Sequence, residues 1–444
     1  MKISIVGFGY IGAVIGAVYA ELGHSVHAID SNVSSMNDLN QGICHVPEPA
    51  LRELIKKGVE NKNLSGSTSY DSISGSDVVL VTVGTPLSDE FDADLSAIRD
   101  VFKMLSGYVN DGQIIMVKST VPPGVTRQMA NEFLAEKKNV FIGFSPERLA
   151  EGNAIQEFRT LPIVVGGIND KSTERCADFW STTLGVEVIK VSSCESAELV
   201  KLANNQWIDL NIALANELAI LCDSLPYNLD ILEIIQGANS LKKGQHFVNI
   251  LTPSIGVGGY CLTKDPWFVS SLGEKNGAHI KLPGTGRRVN DMMPSYVADN
   301  IIAHFAAKNE DLDSVKLAIL GYSFKTNSGD IRFTPMEKFV KELFNRGLKH
   351  ISVFDSTISE GAITDERVFR TKSWQECLSN SDCLVFGAAH SDIAVISMPE
   401  IAEHMSNKGL VYDGRRYLSK DEIAQLVDLG VSYKGVGRSF GSKN

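Results

Sequence analysis

The sequence predicts an α/β protein in which two parallel-sheet domains are joined by a long central helix. Strand-like apolar runs alternate with helical segments in both halves of the chain, a pattern typical of parallel sheets that are covered on both faces. Between the two halves, residues 195 to about 224 contain no Gly or Pro. A chain of 444 residues is also too long for one core, which favours two or three domains.

The composition argues against several classes of partner. The net charge is −11 and there is no basic run, so we expect no nucleic-acid partner. No apolar run approaches the roughly 20 residues that span a bilayer, and the start of the chain resembles a strand and not a signal peptide. The seven cysteines are scattered without C-x-x-C pairs. We therefore expect a cytoplasmic protein with reduced thiols, no metal site and no membrane partner.

The first 30 residues carry a dinucleotide-binding pattern. A strand at residues 3–6 runs into Gly7-Phe8-Gly9-Tyr10-Ile11-Gly12, then a helix follows at 13–22, and a second strand ends in Asp30. The glycines permit a tight turn, close approach of a pyrophosphate and close packing of the helix, whose N-terminus faces the phosphates. An acid at the end of the second strand binds ribose hydroxyls and repels a 2′-phosphate. The pattern predicts NAD as cofactor, bound by Gly7, Gly9, Tyr10, Ile11, Gly12 and Asp30.

Three further strands of the first half end in polar loops. We predict them at residues 78–83, 114–117 and 140–143, with helices at 95–105 and 126–134 between them. Ligands of such sheets bind outside the carboxyl ends of the strands. Those ends carry Thr85, Thr120 and Glu147. Glu147 is a candidate general base, and ordinary turn-forming loops are the alternative interpretation.

The predicted central helix would be about 45 Å long at 1.5 Å per residue. Apolar residues on more than one of its faces indicate that it links two domains, buries a face in a dimer, or does both. Lys201 and Asn205 are four residues apart and therefore share a face. Either they are ordinary polar side chains, or they orient a water and hold an oxyanion.

A single cysteine lies in a glycine-rich stretch, Gly256-Val257-Gly258-Gly259-Tyr260-Cys261, with Lys264 and Asp265 following. Glycines let a backbone approach a ligand closely, and a nearby ammonium favours the thiolate. A half-buried Cys in a tight turn is the alternative. Together with a hydride acceptor, a nucleophilic Cys261 points to oxidation through a covalent thioester. Further on, Arg287 and Arg288 either contact phosphates or lie on the surface.

The second alternation of strands and helices follows a polar segment at residues 309–313 and has no GxGxxG. Its strands are predicted at residues 316–321, 351–355, 383–387 and 410–413. Basic residues at these strand ends, Lys325 and Arg415 among them, suit a diphosphate. Exposed basic residues at the edge of a domain are the alternative.

Taken in order, these motifs resemble the UDP-glucose/GDP-mannose dehydrogenase family over nearly the whole chain. The resemblance rests on the Gly7 to Gly12 turn, Ser119-Thr120-Val121-Pro122, Ser145-Pro146-Glu147, Glu198-Leu199-Val200-Lys201 with Asn205, Asn216-Glu217, Gly258-Gly259-Tyr260-Cys261 with Lys264-Asp265, Phe324-Lys325, and Asp413-Gly414-Arg415. It implies two Rossmann-like domains, a homodimer formed through the long helix, and oxidation of the C6 alcohol of a nucleotide sugar to a carboxylate with two NAD. The resemblance further implies that the product serves polysaccharide or glycan precursor synthesis.

The resemblance also implies three domains. They are an NAD-binding Rossmann domain at residues 1–194, a central helical linker and dimerisation domain with the Cys loop at 195–308, and a UDP-sugar-binding Rossmann-like domain at 309–444.

The same resemblance implies roles for individual residues. Lys201, Asp265 and an ordered water assist loss of the C6 hydroxyl proton, and Cys261 then forms a thiohemiacetal and a thioester. Water activated by Glu147 hydrolyses the thioester while Lys201 and Asn205 hold the oxyanion. The remaining assignments are Thr85, Thr120, Glu151 and Lys264 to the cofactor, and Glu147, Arg148, Leu149, Lys201, Asn205, Gly258, Lys325 and Arg415 to the UDP-sugar.

The sugar itself is left open between a UDP-N-acetylhexosamine and UDP-glucose. The residues around Glu147 and the Gly256-Val257-Gly258-Gly259 run look like the acetamido-sugar members, whereas Lys264-Asp265 resembles the UDP-glucose members. Two other functions compete: a two-electron NAD-dependent hydroxy-acid dehydrogenase, and a non-catalytic NAD-binding protein. The first would need neither Cys261 nor a second α/β domain, and the second would need none of the matched catalytic residues.

Overall fold

The computed structural model describes residues 1–137 and 139–440. The described residues divide into two compact units. The first contains Met1–Asn204 and Trp267–His279, and the second contains Asn205–Pro266 and the described chain from Ile280 onward. Each unit is built on its own largely parallel sheet, which confirms the predicted α/β fold class.

The first unit contains strands β1 to β8. They are β1 (Lys2–Val6), β2 (Ser25–Ile29), β3 (Leu64–Ser67), β4 (Val78–Val81), β5 (Ile114–Val117), β6 (Phe141–Phe144), β7 (Ile163–Gly167) and β8 (Val188–Lys190). The strand order is β3-β2-β1-β4-β5-β6-β7-β8. β6 and β7 pair antiparallel, with Gly143 opposite Gly167; β7 and β8 were not among the strands predicted from the sequence.

The helices of the first unit cover both faces of this sheet. They are α1 (Tyr10–Glu21), α2 (Val33–Asn40), α3 (Leu51–Glu60), α4 (Ser96–Tyr108), α5 (Val125–Phe133), α6 (Ala154–Thr160) and α7 (Asp170–Leu184). Alternate strand residues enter two separate cores: Leu80 packs with Val14 of α1 and Trp180 of α7, and Val81 packs with Phe102 of α4 and Met129 of α5. Burial on both faces explains why β4 and β5 are uninterrupted apolar runs.

The middle of the chain is mainly helical. Its elements are α8 (Cys194–Ser224), α9 (Ile231–Asn239), the short strands β9 (Lys242–Lys243) and β10 (His246–Phe247), α10 (Asp265–Lys275) and α11 (Leu282–Ala307). α8 is 31 residues long and confirms the predicted central helix. It contains residues of both units.

The second unit repeats the plan of the first. Its strands are β11 (Lys316–Leu320), β12 (His350–Phe354), β13 (Val368–Arg370), β14 (Ser381–Phe386), β15 (Met405–Asp413), β16 (Ser432–Gly435) and β17 (Arg438–Phe440), and its helices are α12 (Pro335–Asn345), α13 (Trp374–Leu378), α14 (Met398–His404) and α15 (Lys420–Asp428). The order is β13-β12-β11-β14-β15-β16-β17, parallel except for β16 and β17. Within the described residues, none of the helices combines the length and the apolarity needed to cross a membrane.

The two sheets share a detail at the end of their second strand. Asp30 follows β2, and its Oδ2 accepts a 2.7 Å hydrogen bond from the backbone N–H of Phe8. Asp355 follows β12, and its Oδ2 accepts bonds of 2.7 and 2.9 Å from the N–H groups of Tyr322 and Ser323. In both sheets an acid thus holds the turn that follows the neighbouring strand.

Candidate active site

The turn between β1 and α1 leaves no room for side chains at two of its glycines. Gly7 has φ +90, and an added Cβ would lie 2.9 Å from the backbone of Thr82. At Gly12 an added Cβ would lie 2.2 Å from the carbonyl oxygen of Gly7, which in turn accepts a 2.5 Å bond from Thr82 Oγ1. A Cβ at Gly9, by contrast, would meet no described atom within 4 Å. The N-terminus of α1 is therefore open at Gly9, as a bound pyrophosphate requires.

Glu48, which no sequence motif marked, links this turn to the loop after β6. The hydroxyl of Tyr10, at the start of α1, donates to Glu48 Oε2. The same oxygen accepts a 2.7 Å bond from the backbone N–H of Gly152, the neighbour of Glu151. Burial, and then the bond to Glu48, raise the pKa of Tyr10. Tyr10 and Ile11 thus begin α1, and Glu151 lies beside the residue that Glu48 holds.

The loops after β4 and β5 are joined through Thr85 and Thr120. Thr85 Oγ1 donates a 2.6 Å bond to the Thr120 carbonyl. Just beyond Thr120, Glu198 of α8 accepts bonds of 2.6 and 2.8 Å from the backbone N–H groups of Gly124 and Thr126, at the start of α5. Burial raises the pKa of Glu198 to about 7, against the opposing effect of these bonds. Glu198 therefore anchors the loop that carries Thr120.

Glu147 lies near two lysines at the carboxyl end of β6. Its Oε2 is 3.6 Å from Lys201 Nζ, and its Oε1 accepts a bond from the N–H of Leu149. Lys118, which the sequence analysis did not single out, is buried below, where its Nζ lies 3.4 Å from the Ser145 carbonyl and 5.2 Å from the ring centre of Trp180. Burial lowers the pKa of Lys118 to about 8, while the charge of Glu147 raises it.

A small cavity opens beside this cluster. Its volume is about 20 Å³ and its lining includes Lys118, Glu147, Arg148 and Leu149, which is enough space for one water in a polar setting. The guanidinium of Arg148 donates to the Pro162 carbonyl. A water held here would touch the carboxylate predicted to act as a base.

In the second unit, three glycines shape the loop that carries Cys261. Gly256 and Gly259 have φ +147 and +89, in the region that favours glycine. At Gly258 an added Cβ would lie 2.5 Å from Cβ of Phe324. The backbone of this loop therefore lies directly against the chain that follows β11, and no larger residue fits.

Cys261 itself lies in the turn that leads into α10, which begins at Asp265. Its carbonyl accepts bonds of 3.2 and 3.0 Å from the backbone N–H groups of Lys264 and Asp265. Cys261 is exposed, whereas the other six cysteines are buried. A helix N-terminus favours the thiolate, so exposure and position both suit a nucleophile.

Asp265 is the centre of a buried polar cluster. Asn205 Nδ2 donates a 2.5 Å bond to its Oδ2, and Lys264 Nζ donates a 2.6 Å bond to its Oδ1. Asp265 has no exposed surface. Lys264, predicted to contact the cofactor, is therefore bound to the neighbouring carboxylate.

A larger cavity of about 260 Å³ lies within the second unit. Gly258, Phe324, Lys325, Arg415 and Tyr417 are among its lining residues. The Arg415 side chain donates to the carbonyls of Gly387 at 2.9 Å and Phe324 at 2.8 Å, which fixes its guanidinium at the cavity wall. Two cations beside a backbone glycine suit a diphosphate.

The chain matches known domains along most of its length. Residues 1–183 match the NAD binding domain of the UDP-glucose/GDP-mannose dehydrogenase family, residues 195–292 match the central domain, and residues 318–420 match the UDP binding domain. The chain belongs to this family. It is therefore an NAD-dependent nucleotide-sugar dehydrogenase, and the predicted family, enzyme class and cofactor are confirmed.

Members of the UDP-glucose/GDP-mannose dehydrogenase family resemble it in sequence and in structure. A UDP-N-acetyl-D-mannosamine dehydrogenase from Methanococcus maripaludis is 31% identical over 424 residues, which cover 94% of this chain and 93% of the relative. The UDP-D-ManNAc dehydrogenase structure from Pyrococcus horikoshii has a TM-score of 0.87 at 27% identity and 99% coverage of both chains. A UDP-glucose dehydrogenase from Pyrobaculum islandicum has a TM-score of 0.85 at 25% identity and covers 99% of this chain and 98% of that one.

Membership of the dehydrogenase family sets aside the hydroxy-acid dehydrogenase and the non-catalytic binding protein. The residues of the Gly7 to Gly12 turn and Asp30 fit NAD, because Gly9 is open and an acid stands where a 2′-phosphate would be repelled. The surface alternative considered for Arg287 is wrong. Its side chain is fully buried and paired with Asp209, while Arg288 is exposed.

Proposed function

We propose that this dehydrogenase oxidises the C6 hydroxyl of a UDP-sugar to a carboxylate, removing four electrons through a covalent adduct on Cys261. The observation that carries the proposal is the exposed Cys261 in its glycine loop at the start of α10. A two-electron alcohol dehydrogenase has no use for such a thiol. A thiol is needed when an aldehyde has to be oxidised further, because its addition turns the aldehyde into a thiohemiacetal, whose carbon can lose its hydrogen as a hydride and become a thioester.

NAD, held by the Gly7 to Gly12 turn and Asp30, would supply the hydride acceptor for the sugar carbon in each of two oxidations, one NAD for each. Asp265, held by Asn205 and Lys264, accepts the hydroxyl proton through a water in the first. The Cys261 thiolate then adds to the aldehyde carbon, a C–S bond forms, and Lys201 and Asn205 stabilise the charge that develops on oxygen. The second oxidation leaves a thioester.

Hydrolysis of the thioester releases the acid. Glu147 takes a proton from water, the hydroxide oxygen adds to the thioester carbon, and the C–S bond breaks with Cys261 leaving as the thiolate. The 3.6 Å approach of Lys201 to Glu147 and the water-sized cavity at Glu147 support this role. Thr120 and Thr85, joined by a hydrogen bond, are proposed to hold water and cofactor.

We propose UDP-N-acetyl-D-mannosamine as the substrate. Relatives that match this chain over 93% or more of their own length are named UDP-N-acetyl-D-mannosamine dehydrogenase. UDP-glucose is the second candidate, favoured by the Lys264-Asp265 pair that resembles the UDP-glucose members. The diphosphate is proposed to bind Lys325 and Arg415 in the cavity of about 260 Å³, with Arg148, Leu149 and Gly258 as further contacts. Glu151 and Lys264 remain proposed cofactor contacts.

The first test is the NADH yield from limiting amounts of UDP-N-acetylmannosamine, UDP-N-acetylglucosamine, UDP-N-acetylgalactosamine and UDP-glucose, each with excess NAD. We expect two NADH per molecule of the true substrate. Cys261→Ala should lower kcat by about 10³-fold or more, whereas Cys222→Ser, at a buried cysteine of α8, should leave it unchanged. One NADH per sugar, or full activity without Cys261, would contradict the proposal.

We also propose that the chain forms a homodimer through α8. Four large apolar side chains on this helix, Leu199, Trp207, Leu214 and Leu221, are each about half exposed and follow one another at seven or eight residues. Such a stripe is costly to leave in water and marks an interaction face. Leu214→Asp should give monomers in light scattering after size-exclusion chromatography, while Val395→Asp, at another exposed apolar residue, should leave the mass unchanged.

We also propose, from the sequence, that residues 1–194 bind NAD, residues 195–308 carry the catalytic loop and form the dimer, and residues 309–444 bind the UDP-sugar. A cytoplasmic location is likewise a proposal from the sequence. The NAD-binding, catalytic-loop and UDP-sugar roles follow the order of the three matched family domains.

A further inference from the structure

We propose that Arg287 is a positioning residue for the loop that carries Cys261, acting together with Asp209. The inference rests on the proposed role of Cys261 and adds a residue to that site. It arises because Arg287, in α11, has no exposed surface and yet reaches the backbone directly beside the cysteine.

The guanidinium of Arg287 makes three kinds of contact at once. Nη1 donates a 2.5 Å bond to Asp209 Oδ1 of α8 and a 3.1 Å bond to the carbonyl of Leu262. Nη2 donates a 2.8 Å bond to Asp291 Oδ1, one turn along α11. Leu262 is the residue after Cys261, so the contact fixes the peptide that leaves the cysteine.

The same buried network holds the other end of the loop. Asn290 Nδ2 donates to the carbonyl and to Oδ1 of Asp209 at 2.9 and 2.8 Å. Asn216 Nδ2 donates a 2.9 Å bond to Asn290 Oδ1, and Asn216 Oδ1 accepts a 2.8 Å bond from the backbone N–H of Ser254. The segment from Ser254 to Leu262 is therefore tied at both ends to one chain of side chains.

Stability alone does not account for this arrangement. A fully buried ion pair is often no more stabilising than apolar residues of the same volume, and α8 and α11 already pack closely: an added Cβ at Gly286 would lie 2.7 Å from Leu210 Cδ2. What the guanidinium adds is geometry. Its planar fork serves Asp209 and the Leu262 carbonyl through Nη1 and Asp291 through Nη2, a spread of donors that a lysine ammonium at the same position does not reproduce.

The test separates loop positioning from simple stabilisation. We would prepare Arg287→Lys, Arg287→Met, and the double variant Asp209→Leu with Arg287→Met, which removes both charges and leaves neither one unpaired. Arg288→Met, at the exposed neighbouring arginine, is the matched control. Each variant is assayed for thermal unfolding, for kcat and KM, and for the pH dependence of Cys261 alkylation by iodoacetamide, since the other six cysteines are buried.

We expect the double variant to regain the unfolding temperature lost by Arg287→Met. Its kcat should stay about 10²-fold below the wild-type value, since a displacement of about 1 Å is enough for such a loss. The KM for the sugar should change less than threefold, and the alkylation profile of Cys261 should shift in Arg287→Lys and in the double variant. The Arg288→Met control should match the wild type in every assay.

Recovery of kcat together with stability in the double variant would overturn the proposal, as would an unchanged alkylation profile in all Arg287 variants. Failure of the proposed function looks different. In that case Cys261→Ala keeps two NADH per sugar, while the alkylation profiles still report whether Arg287 positions the loop.

Discussion

Asn205 donates its side-chain amide to the buried carboxylate of Asp265 at 2.5 Å, while Lys264 donates to the other oxygen of the same carboxylate at 2.6 Å. Because Asp265 has no contact with solvent, these two donors are what keep its charge buried at tolerable cost. The asparagine is thus tied to the acid as well as to its proposed oxyanion role.

Asn205→Ala should therefore impair catalysis more than folding. The loss of a transition-state donor predicts a fall in kcat of about 10²-fold or more, with a loss of about 2 kcal/mol in the free energy of unfolding, because the bond goes to a buried carboxylate. Steady-state kinetics and urea unfolding measure the two quantities. The exposed neighbour Asn204 provides the control, since Asn204→Ala should change neither; a kcat within twofold of wild type in Asn205→Ala would show that the amide is dispensable.

Glu147→Gln should stall the reaction at the thioester. A neutral amide cannot take a proton from water, so the first turnover should release NADH and leave the sugar acyl group on Cys261. Mass spectrometry of the intact protein after mixing with substrate and NAD detects that adduct. Free uronic acid produced at the wild-type rate would assign the base to another residue.

Because of Lys118, we expect the free energy of unfolding to rise as the pH enters the alkaline range. The folded-state pKa of Lys118 is about 8, below the ordinary 10.5, so the folded protein releases this proton before the unfolded chain does. Below pH 8 the buried charge of Lys118 lowers the free energy of unfolding by about 3 kcal/mol, as the size of the pKa shift implies. This penalty disappears as the pH approaches 10.5. In Lys118→Met this rise should be absent from urea unfolding measured between pH 7 and 10, and its persistence would show that Lys118 is not its source.

Because of Glu198, we expect the free energy of unfolding to fall as the pH rises from about 4.5 to 7. The folded-state pKa of Glu198 is raised from 4.5 to about 7, so its stabilising contribution is complete below pH 4.5 and is lost as the pH rises through 7. Glu198→Gln keeps one acceptor for the start of α5 and cannot titrate. The difference in the free energy of unfolding between wild type and Glu198→Gln, measured by urea unfolding, should therefore shrink between pH 5 and 8. If this difference stays constant across the range, Glu198 is ionised throughout.

Residues with strong local signals were predictable, and residues defined by distant partners were not. The Gly7 to Gly12 turn, Asp30 and the Cys261 loop follow from glycines and acids at short spacings. α8 followed from the absence of Gly and Pro. Helix α1, however, begins at Tyr10 and not at residue 13, because Gly9 supplies the extended residue before the first turn.

Arg287, Lys118 and Glu48 lay beyond the reach of sequence pattern for a common reason. Asp209, the partner that buries Arg287, lies 78 residues earlier in the chain, and Glu48 meets Gly152 across 104 residues. From the sequence alone, a charged side chain is expected to be exposed, because charged residues are buried only when a partner compensates the charge. The antiparallel pairing of β6 and β7 was missed because β7 was not among the predicted strands.

Asp30 and Asp355 stand at equivalent points of two sheets with the same central strand order. In the second unit, the Asp355 carboxylate also accepts from His390 at 3.0 Å and from the N–H and hydroxyl of Thr357 at 2.9 and 2.6 Å. Five donors are thus directed at about four lone-pair sites of the carboxylate, so all the acceptor sites of Asp355 are used within the second unit. Asp355 therefore has no acceptor site left for a ribose hydroxyl. Binding of the UDP-sugar by the second unit, as we propose, has to use other residues, with Lys325 and Arg415 as the candidates.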